Sequence, residues 1–215
     1  MTAALLALAG VLAAVDWVGV ARDHTGLRLV GKPGTMVALI AAAIAGSGGL
    51  GRYGVDSGWL RWWIIAGLVL SLAGDVFLML DERWFVAGLG SFLVAHLAYI
   101  VGMIRLPLSG ARALIGVAVA LAVAALAGRR IVAGAQSHDR ALKIPVIVYV
   151  GVISVMFVIA QATGIGWLAV AATLFLISDS LLGWNRFVRP VGWMPLAVMV
   201  TYHLAQAAFV AAILA

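Results

Sequence analysis

The segment Leu70-Ser-Leu-Ala-Gly-Asp-Val-Phe-Leu-Met-Leu80 carries a carboxylate, Asp75, inside a run apolar enough to cross a lipid bilayer. A second segment, Leu174-Phe-Leu-Ile-Ser-Asp-Ser-Leu-Leu-Gly-Trp-Asn185, carries Asp179 in the same way. An ionised side chain at the centre of a bilayer costs roughly 2.5–3.5 kcal/mol on insertion scales, so such residues usually face a polar cavity or a partner. We therefore expect Asp75 and Asp179 to form two walls of one site inside the membrane.

The composition is that of an integral membrane protein. Of the 215 residues, 65% are hydrophobic and only 10% are charged, and the mean hydropathy is +1.16. A soluble domain is typically about 25% charged. The apolar runs are continuous, which favours helices over a β-barrel. The chain has no cysteine, which excludes disulfides and thiolate chemistry.

The hydropathy pattern predicts an all-α bundle of about eight transmembrane helices, forming a single transmembrane domain over residues 1–215. The predicted spans are 3–20, 32–48, 59–80, 84–104, 111–127, 142–162, 164–184 and 191–213. The connections between them are short. We interpret the N-terminal segment as the first span and not as a cleaved signal.

The basic residues predict the orientation of the chain. One set of connections holds ten of them: Arg22, Arg28, Lys32, Arg83, Arg129, Arg130, Arg140, Lys143, Arg186 and Arg189. The other side holds four: Arg52, Arg61, Arg105 and Arg112. The set of connections with more basic residues is expected in the cytoplasm. Both termini then lie on the outer side of a bacterial inner membrane. The net charge of +6 is then explained by contact with anionic lipid, and no nucleic acid is expected as a partner.

Other polar residues gather at the cytoplasmic half of the predicted bundle. His96 and Tyr99 share one helix face, Tyr149 lies in the sixth span and Tyr202 in the eighth. Lys32-Pro33 is expected to open the second helix at the cytoplasmic surface, where a lysine and free backbone N–H groups would bind a phosphate. Each group also has a structural interpretation: helix packing for the aspartates and tyrosines, a buried hydrogen bond for the histidine, and a membrane anchor for the lysine. For Asp179, that interpretation is neutralisation by Arg186, seven residues further on.

These motifs resemble those of the YhhN family of membrane proteins, which includes the animal lysoplasmalogenases. The matching residues are Lys32-Pro33, Gly74-Asp75-Val76-Phe77-Leu78-Met79, Gly88-Leu89, Phe92, His96, Tyr99, Tyr149, the segment from Leu174 to Ser180, Asn185-Arg186-Phe187, Tyr202 and Gln206. The resemblance implies a polytopic fold and hydrolysis of the vinyl ether bond of a lysophospholipid, which releases a fatty aldehyde and a glycerophospho-alcohol.

Cleavage of a vinyl ether passes through an oxocarbenium ion. Glycosidases form and stabilise a related ion with two carboxyl groups. With the implied activity, Asp75 and Asp179 are the expected catalytic pair. The expected substrate-binding residues are Lys32, His96, Tyr99, Tyr149, Ser178, Asn185, Arg186 and Tyr202. Neither a metal nor a cofactor is expected, and membrane lipid is the expected surrounding partner.

Two other functions fit the same residues. Buried aspartates and a histidine also suit a proton-coupled transporter of a small or lipid-like substrate. A lipid-binding or assembly protein without catalysis would tolerate replacement of both aspartates. The sequence leaves open the headgroup preference, the oligomeric state and which aspartate is the acid.

Overall fold

The computed structural model describes residues 1–46 and 57–215, and within these ranges it contains helices and no strand. The α-helices are α1 (Thr2–Ala21), α2 (Thr25–Ala45), α3 (Ser57–Met79), α4 (Phe85–Met103), α5 (Gly110–Val123), α6 (Arg129–His138), α7 (Lys143–Thr163), α8 (Gly166–Phe187) and α9 (Met194–Leu214). The predicted all-α class is confirmed.

Eight helical stretches in the described ranges are long and apolar enough to span a membrane, as predicted. The eight arise from nine helices because α5 and α6 continue through a π-helical turn at Ala124–Gly128. The resulting stretch, Gly110–His138, is longer than the predicted 111–127, so Arg129 and Arg130 lie on a helix and not in a loop. The predicted end of the second span at residues 47–48, and Arg52, lie outside the described residues. The assignment of the whole chain to one domain stays a prediction.

The second span is the main correction to the predicted boundaries. Helix α2 begins at Thr25, seven residues before the predicted start, and Pro33 lies inside it. The side chain of His24 caps the helix, since its Nδ1 accepts a hydrogen bond from the backbone N–H of Leu27 at 3.3 Å. The Lys-Pro pair suggested a helix start because proline favours the first turn. The actual start is two turns earlier, so Lys32 faces the interior.

The helices pack mainly as hairpins of neighbours in the chain. Helix α1 packs on α2, α3 on α4, and α8 on α9, while α4 and α5 both pack on α7. Helix α9 is the most buried span and contacts α1, α2, α3 and α8. Polar side chains on α9 can therefore reach groups on several other helices.

Glycines bring the helices close together where the aspartates lie. A Cβ atom added at Gly74 would lie 2.6 Å from the ring of Phe92 on α4, and one at Gly31 would lie 2.5 Å from the backbone nitrogen of Asp16 on α1. Small residues permit such close approach of membrane helices. Gly74 precedes Asp75 and Gly31 precedes Lys32, so this packing positions both charged residues.

Candidate active site

Asp75 on α3 lies in the protein interior, with a cation beside one carboxylate oxygen and a hydroxyl bonded to the other. Its side chain is 1% exposed, and Lys32 Nζ on α2 lies 3.0 Å from its Oδ1. The hydroxyl of Tyr202 on α9 donates a hydrogen bond to Asp75 Oδ2 at 2.6 Å. A cation and a hydrogen-bond donor from two other helices thus compensate a carboxylate that would be very costly to bury alone.

The position of Lys32 changes its predicted role. Its side chain is only 8% exposed, and it lies within α2 and not at the free N–H groups of a helix start. The predicted helix N-terminus at Lys32 is therefore wrong. Lys32 instead forms an ion pair with Asp75.

Asp179 on α8 has a different environment. The hydroxyl of Tyr149 on α7 donates a hydrogen bond to its Oδ2 at 2.5 Å. The Nε2 atom of His96 on α4 lies 3.8 Å from the same oxygen, beyond hydrogen-bond distance. Among the described residues, no lysine or arginine nitrogen lies within 4.0 Å of this carboxyl group. Its side chain is 13% exposed, so it retains an open surface.

Arg186 does not neutralise Asp179, contrary to the structural interpretation considered for that aspartate. Its guanidinium group pairs with Glu82 and lies over the ring of Phe85, 3.7 Å from the centroid. Seven residues along a helix bring two positions to the same face, but the long arginine side chain extends to the surface, where an anion and an aromatic ring hold it.

Both aspartates line one cavity, which we call the charged cavity because four charged side chains face it: Arg28, Lys32, Asp75 and Asp179. Ser178, Asn185 and Tyr202 also line it. Its volume is about 170 Å³, whereas one water needs roughly 10–15 Å³. The two carboxylates, distant in sequence, therefore face a common space that has room for water and for part of a ligand.

A second cavity, the apolar cavity, adjoins the first. It is lined mainly by aliphatic and aromatic side chains from α3, α4, α5, α7 and α8, including Phe85, Leu89, Val123, Val146, Ile153 and Leu176. Asp179 lines both cavities, together with Leu78, Phe92 and Leu182. Tyr149 and Arg186 also line the apolar cavity. Asp179 therefore lies at the junction between an apolar and a charged space.

The remaining predicted binding residues differ in how directly they face this space. Ser178 donates its hydroxyl to the carbonyl oxygen of Val198 at 3.0 Å, and Asn185 Oδ1 accepts from the backbone N–H of Val191 at 2.8 Å. The first bond joins α8 to α9, and the second joins the end of α8 to the connection that precedes α9. Their side chains help to shape the charged cavity.

His96 and Tyr99 lie behind the cavities. Both are completely buried, and neither lines the charged or the apolar cavity. The Tyr99 hydroxyl donates to Gln206 Oε1 at 2.7 Å, and its ring stacks on Phe209. The geometry of these two residues suits them to support the site from within the bundle.

Asp16 is a buried charged residue that is not among the predicted site residues. It is 0% exposed, and neither carboxylate oxygen has a hydrogen-bond partner among the described residues. Lys32 and Arg28 interact with it electrostatically. The signal was available, since Asp16 interrupts the apolar first span in the same way as Asp75 interrupts the third.

The fold and this site define a polytopic helical membrane protein with two aspartates on a cavity between its helices. A model of the YhhN family matches residues 27–213. The chain therefore belongs to the YhhN family, which confirms the resemblance seen in the motifs.

Relatives in this family carry a common name. A lysoplasmalogenase of Mycobacterium bovis is 35% identical over 190 residues, which cover 86% of this chain and 68% of the relative. Lysoplasmalogenase TMEM86A of Homo sapiens is 34% identical over 154 residues, or 66% of this chain and 61% of the relative. Lysoplasmalogenase TMEM86B of Homo sapiens is 30% identical over 141 residues, or 65% and 58%. No solved structure matches the chain.

Proposed function

We propose that the protein is a membrane-embedded lysoplasmalogenase that hydrolyses the vinyl ether bond of a lysophospholipid. The names of its relatives support this activity. The observation that carries the proposal is the position of Asp179 at the junction of the apolar and charged cavities. In the substrate, the vinyl ether likewise joins an apolar chain to a charged headgroup. With the first carbons of the chain in the apolar cavity, whose volume is about 70 Å³, and the headgroup in the charged cavity, the scissile bond lies beside Asp179.

The reaction needs a proton on carbon and an activated water. A carboxylic acid protonates the β-carbon of the vinyl ether, and the α-carbon with its ether oxygen becomes an oxocarbenium ion. Water adds to the α-carbon and loses a proton, which gives a hemiacetal. The hemiacetal then breaks its bond to the glycerol oxygen, releasing a fatty aldehyde and a glycerophospho-alcohol. One acid and one carboxylate are sufficient for these steps.

The partners of the two aspartates divide these roles. Lys32 balances the charge of Asp75 at 3.0 Å, so Asp75 serves as the carboxylate that stabilises the cation and accepts a proton from water. Asp179 has no such cation, and its Oδ1 accepts no hydrogen bond from a described residue. An uncompensated carboxyl group in a poorly solvated site favours its neutral form. Asp179 is therefore the acid that donates a proton to carbon.

The tyrosines hold the carboxyl groups in position. Tyr202 and Tyr149 each donate to the Oδ2 atom of one aspartate. The opposite oxygen of Asp179 is thereby left for the proton that is transferred. His96 supports Asp179 from behind, because it is completely buried and stacks edge-on against Tyr149 with 5.3 Å between ring centroids.

The topology proposed with this function puts the site in the cytoplasmic half of a bacterial inner membrane, with both termini outside. Without Lys32, which lies within α2 and pairs with Asp75, nine basic residues against four support that orientation. The lysophospholipid then enters from the inner leaflet, with its headgroup at the surface and its chain between helices.

The test is aldehyde release from a lysoplasmalogen by purified protein in detergent. We expect Asp75→Asn and Asp179→Asn each to lower turnover by about 10²–10⁴-fold, the usual contribution of a general acid or base. The matched control is Asp23→Asn, an exposed residue at φ 50°, where asparagine is well tolerated. Full aldehyde release by both site variants would contradict the assignment.

A substrate panel separates this function from the alternatives. A vinyl ether, an alkyl ether and an ester lysolipid are incubated with the protein, and the products are identified by mass. We expect cleavage of the vinyl ether alone. Substrate-dependent proton flux in liposomes without any product would instead favour a transporter.

A further inference from the structure

The charged cavity contains a cation that the catalytic pair does not use. Arg28 lines this cavity together with Lys32, Asp75 and Asp179. Arg28 and Lys32 are four residues apart on α2, so their side chains lie on one helix face about 6 Å apart along the axis. Lys32 is the deeper of the two, with 8% of its side chain exposed, whereas Arg28 is exposed.

The two cations also differ in what they bind. Lys32 forms the ion pair with Asp75. In the described part of the chain, the Arg28 guanidinium forms neither a hydrogen bond nor an ion pair, although Asp16 attracts it from a distance. Its five N–H donors therefore remain available to an anion, and their planar arrangement matches two oxygens of a phosphate.

The stem of Arg28 is held in place by α1. A Cβ atom added at Gly19 would lie 2.9 Å from Arg28 Cγ, so the missing side chain of Gly19 makes room for the aliphatic part of the arginine. A cation whose stem is already packed loses less conformational entropy when it binds a ligand. This packing keeps the guanidinium group at the mouth of the charged cavity.

We propose that Arg28, and not Lys32, binds the phosphate of the substrate headgroup. The proposal rests on the proposed function and identifies the group that selects a phosphate-bearing lipid. In a lysoplasmalogen the phosphate and the ether oxygen are attached to opposite ends of a three-carbon glycerol. One helical turn between Arg28 and the Lys32–Asp75 pair matches this short separation, while Lys32 stays with Asp75 throughout.

The experiment compares two vinyl ether substrates that differ only in the headgroup: a lysoplasmalogen and the corresponding alkenylglycerol, which has no phosphate. We expect Arg28→Gln to raise KM for the lysoplasmalogen about tenfold to hundredfold, the range for losing hydrogen bonds to a charged group, with little change in kcat. KM for the alkenylglycerol should not change. Arg28→Lys should restore part of the affinity, and Arg22→Gln, an exposed neighbour outside the cavity, should behave as the wild type.

An equal rise of KM for both substrates, or no rise for the lysoplasmalogen, would overturn the assignment of Arg28. Binding of a non-cleavable alkyl ether lysophospholipid, measured by native mass spectrometry against the matching alkylglycerol, gives a second readout that needs no turnover. If the wild type cleaves neither vinyl ether, the proposed function fails. The phosphate site still stands in that case if Arg28→Gln weakens binding of the phosphate-bearing ether alone, and it falls if both ethers bind as before.

Discussion

The surroundings of Asp75 and Asp179 differ although the two residues share a cavity. Asp75 is 1% exposed and has a lysine at 3.0 Å and a tyrosine hydroxyl at 2.6 Å. Asp179 is 13% exposed and has a tyrosine hydroxyl at 2.5 Å, but no lysine or arginine of the described chain pairs with it. One aspartate is charge-compensated and enclosed, while the other is uncompensated and faces an apolar space.

This difference is the basis of the two chemical roles that we propose for the aspartates. The interior of a membrane protein stabilises an ionised carboxylate only when a cation accompanies it. A carboxyl group without a cation favours the neutral acid, which is the form that can protonate carbon. The proposed division of roles between the aspartates therefore depends on Lys32, a residue of a third helix.

The strongest test of this contrast is removal of the cation. We expect Lys32→Met to lower the free energy of unfolding by about 3–5 kcal/mol, because it leaves Asp75 as an unpaired buried charge. Thermal unfolding in detergent measures the effect. The double variant Lys32→Met, Asp75→Leu should recover much of the loss, and Lys143→Met at the exposed start of α7 is the control. A loss no larger than that of the control would mean that Asp75 is not ionised in the folded protein.

The two tyrosines offer a finer comparison. Tyr202→Phe removes a hydrogen bond to an ionised Asp75, which is worth about 1.5–3 kcal/mol, whereas Tyr149→Phe removes one to a neutral Asp179, worth about 0.5–1.5 kcal/mol. We therefore expect the larger fall in unfolding free energy for Tyr202→Phe. Denaturation of both variants in the same detergent measures the difference, and the reverse order would exchange the proposed charge states.

The smallest expected effect concerns Arg186. Its pair with Glu82 is largely exposed, with 28% and 73% of the two side chains accessible. Solvent screens such pairs, so we expect Arg186→Gln to cost less than about 1 kcal/mol of stability. A cycle with Glu82→Gln isolates the pair. A loss as large as that of Lys32→Met would indicate that Arg186 is the missing cation of Asp179 after all.

Much of the fold followed from hydropathy, because the length and apolarity of a membrane span are local properties. The sequence-based predictions failed where one local motif was compatible with two structures. Lys32-Pro33 suggested a helix start, but capping by His24 starts α2 earlier. Spacing along α8 suggested that Arg186 would meet Asp179, but side-chain length carried the arginine to Glu82.

The sequence predicted which residues form the site better than it predicted which of them contact each other. The cost of a charge in hydrocarbon marked Asp75 and Asp179, and it applies equally to Asp16 in the first span. No local pattern links Tyr202 to Asp75 or Tyr149 to Asp179, which are 127 and 30 residues apart. These pairs depend on how each helix is rotated against the others.

The sequence by itself predicted the eight helices of the described ranges that are long and apolar enough to span a membrane, and the carboxylates inside the bundle, because hydropathy and the cost of burying charge act residue by residue. Only the tertiary structure decided that Asp75 has a lysine partner, that Asp179 faces the apolar cavity and that the Arg28 guanidinium forms no hydrogen bond or ion pair with the described residues. Those outcomes depend on packing, where glycines such as Gly31 and Gly74 set how closely neighbouring helices approach.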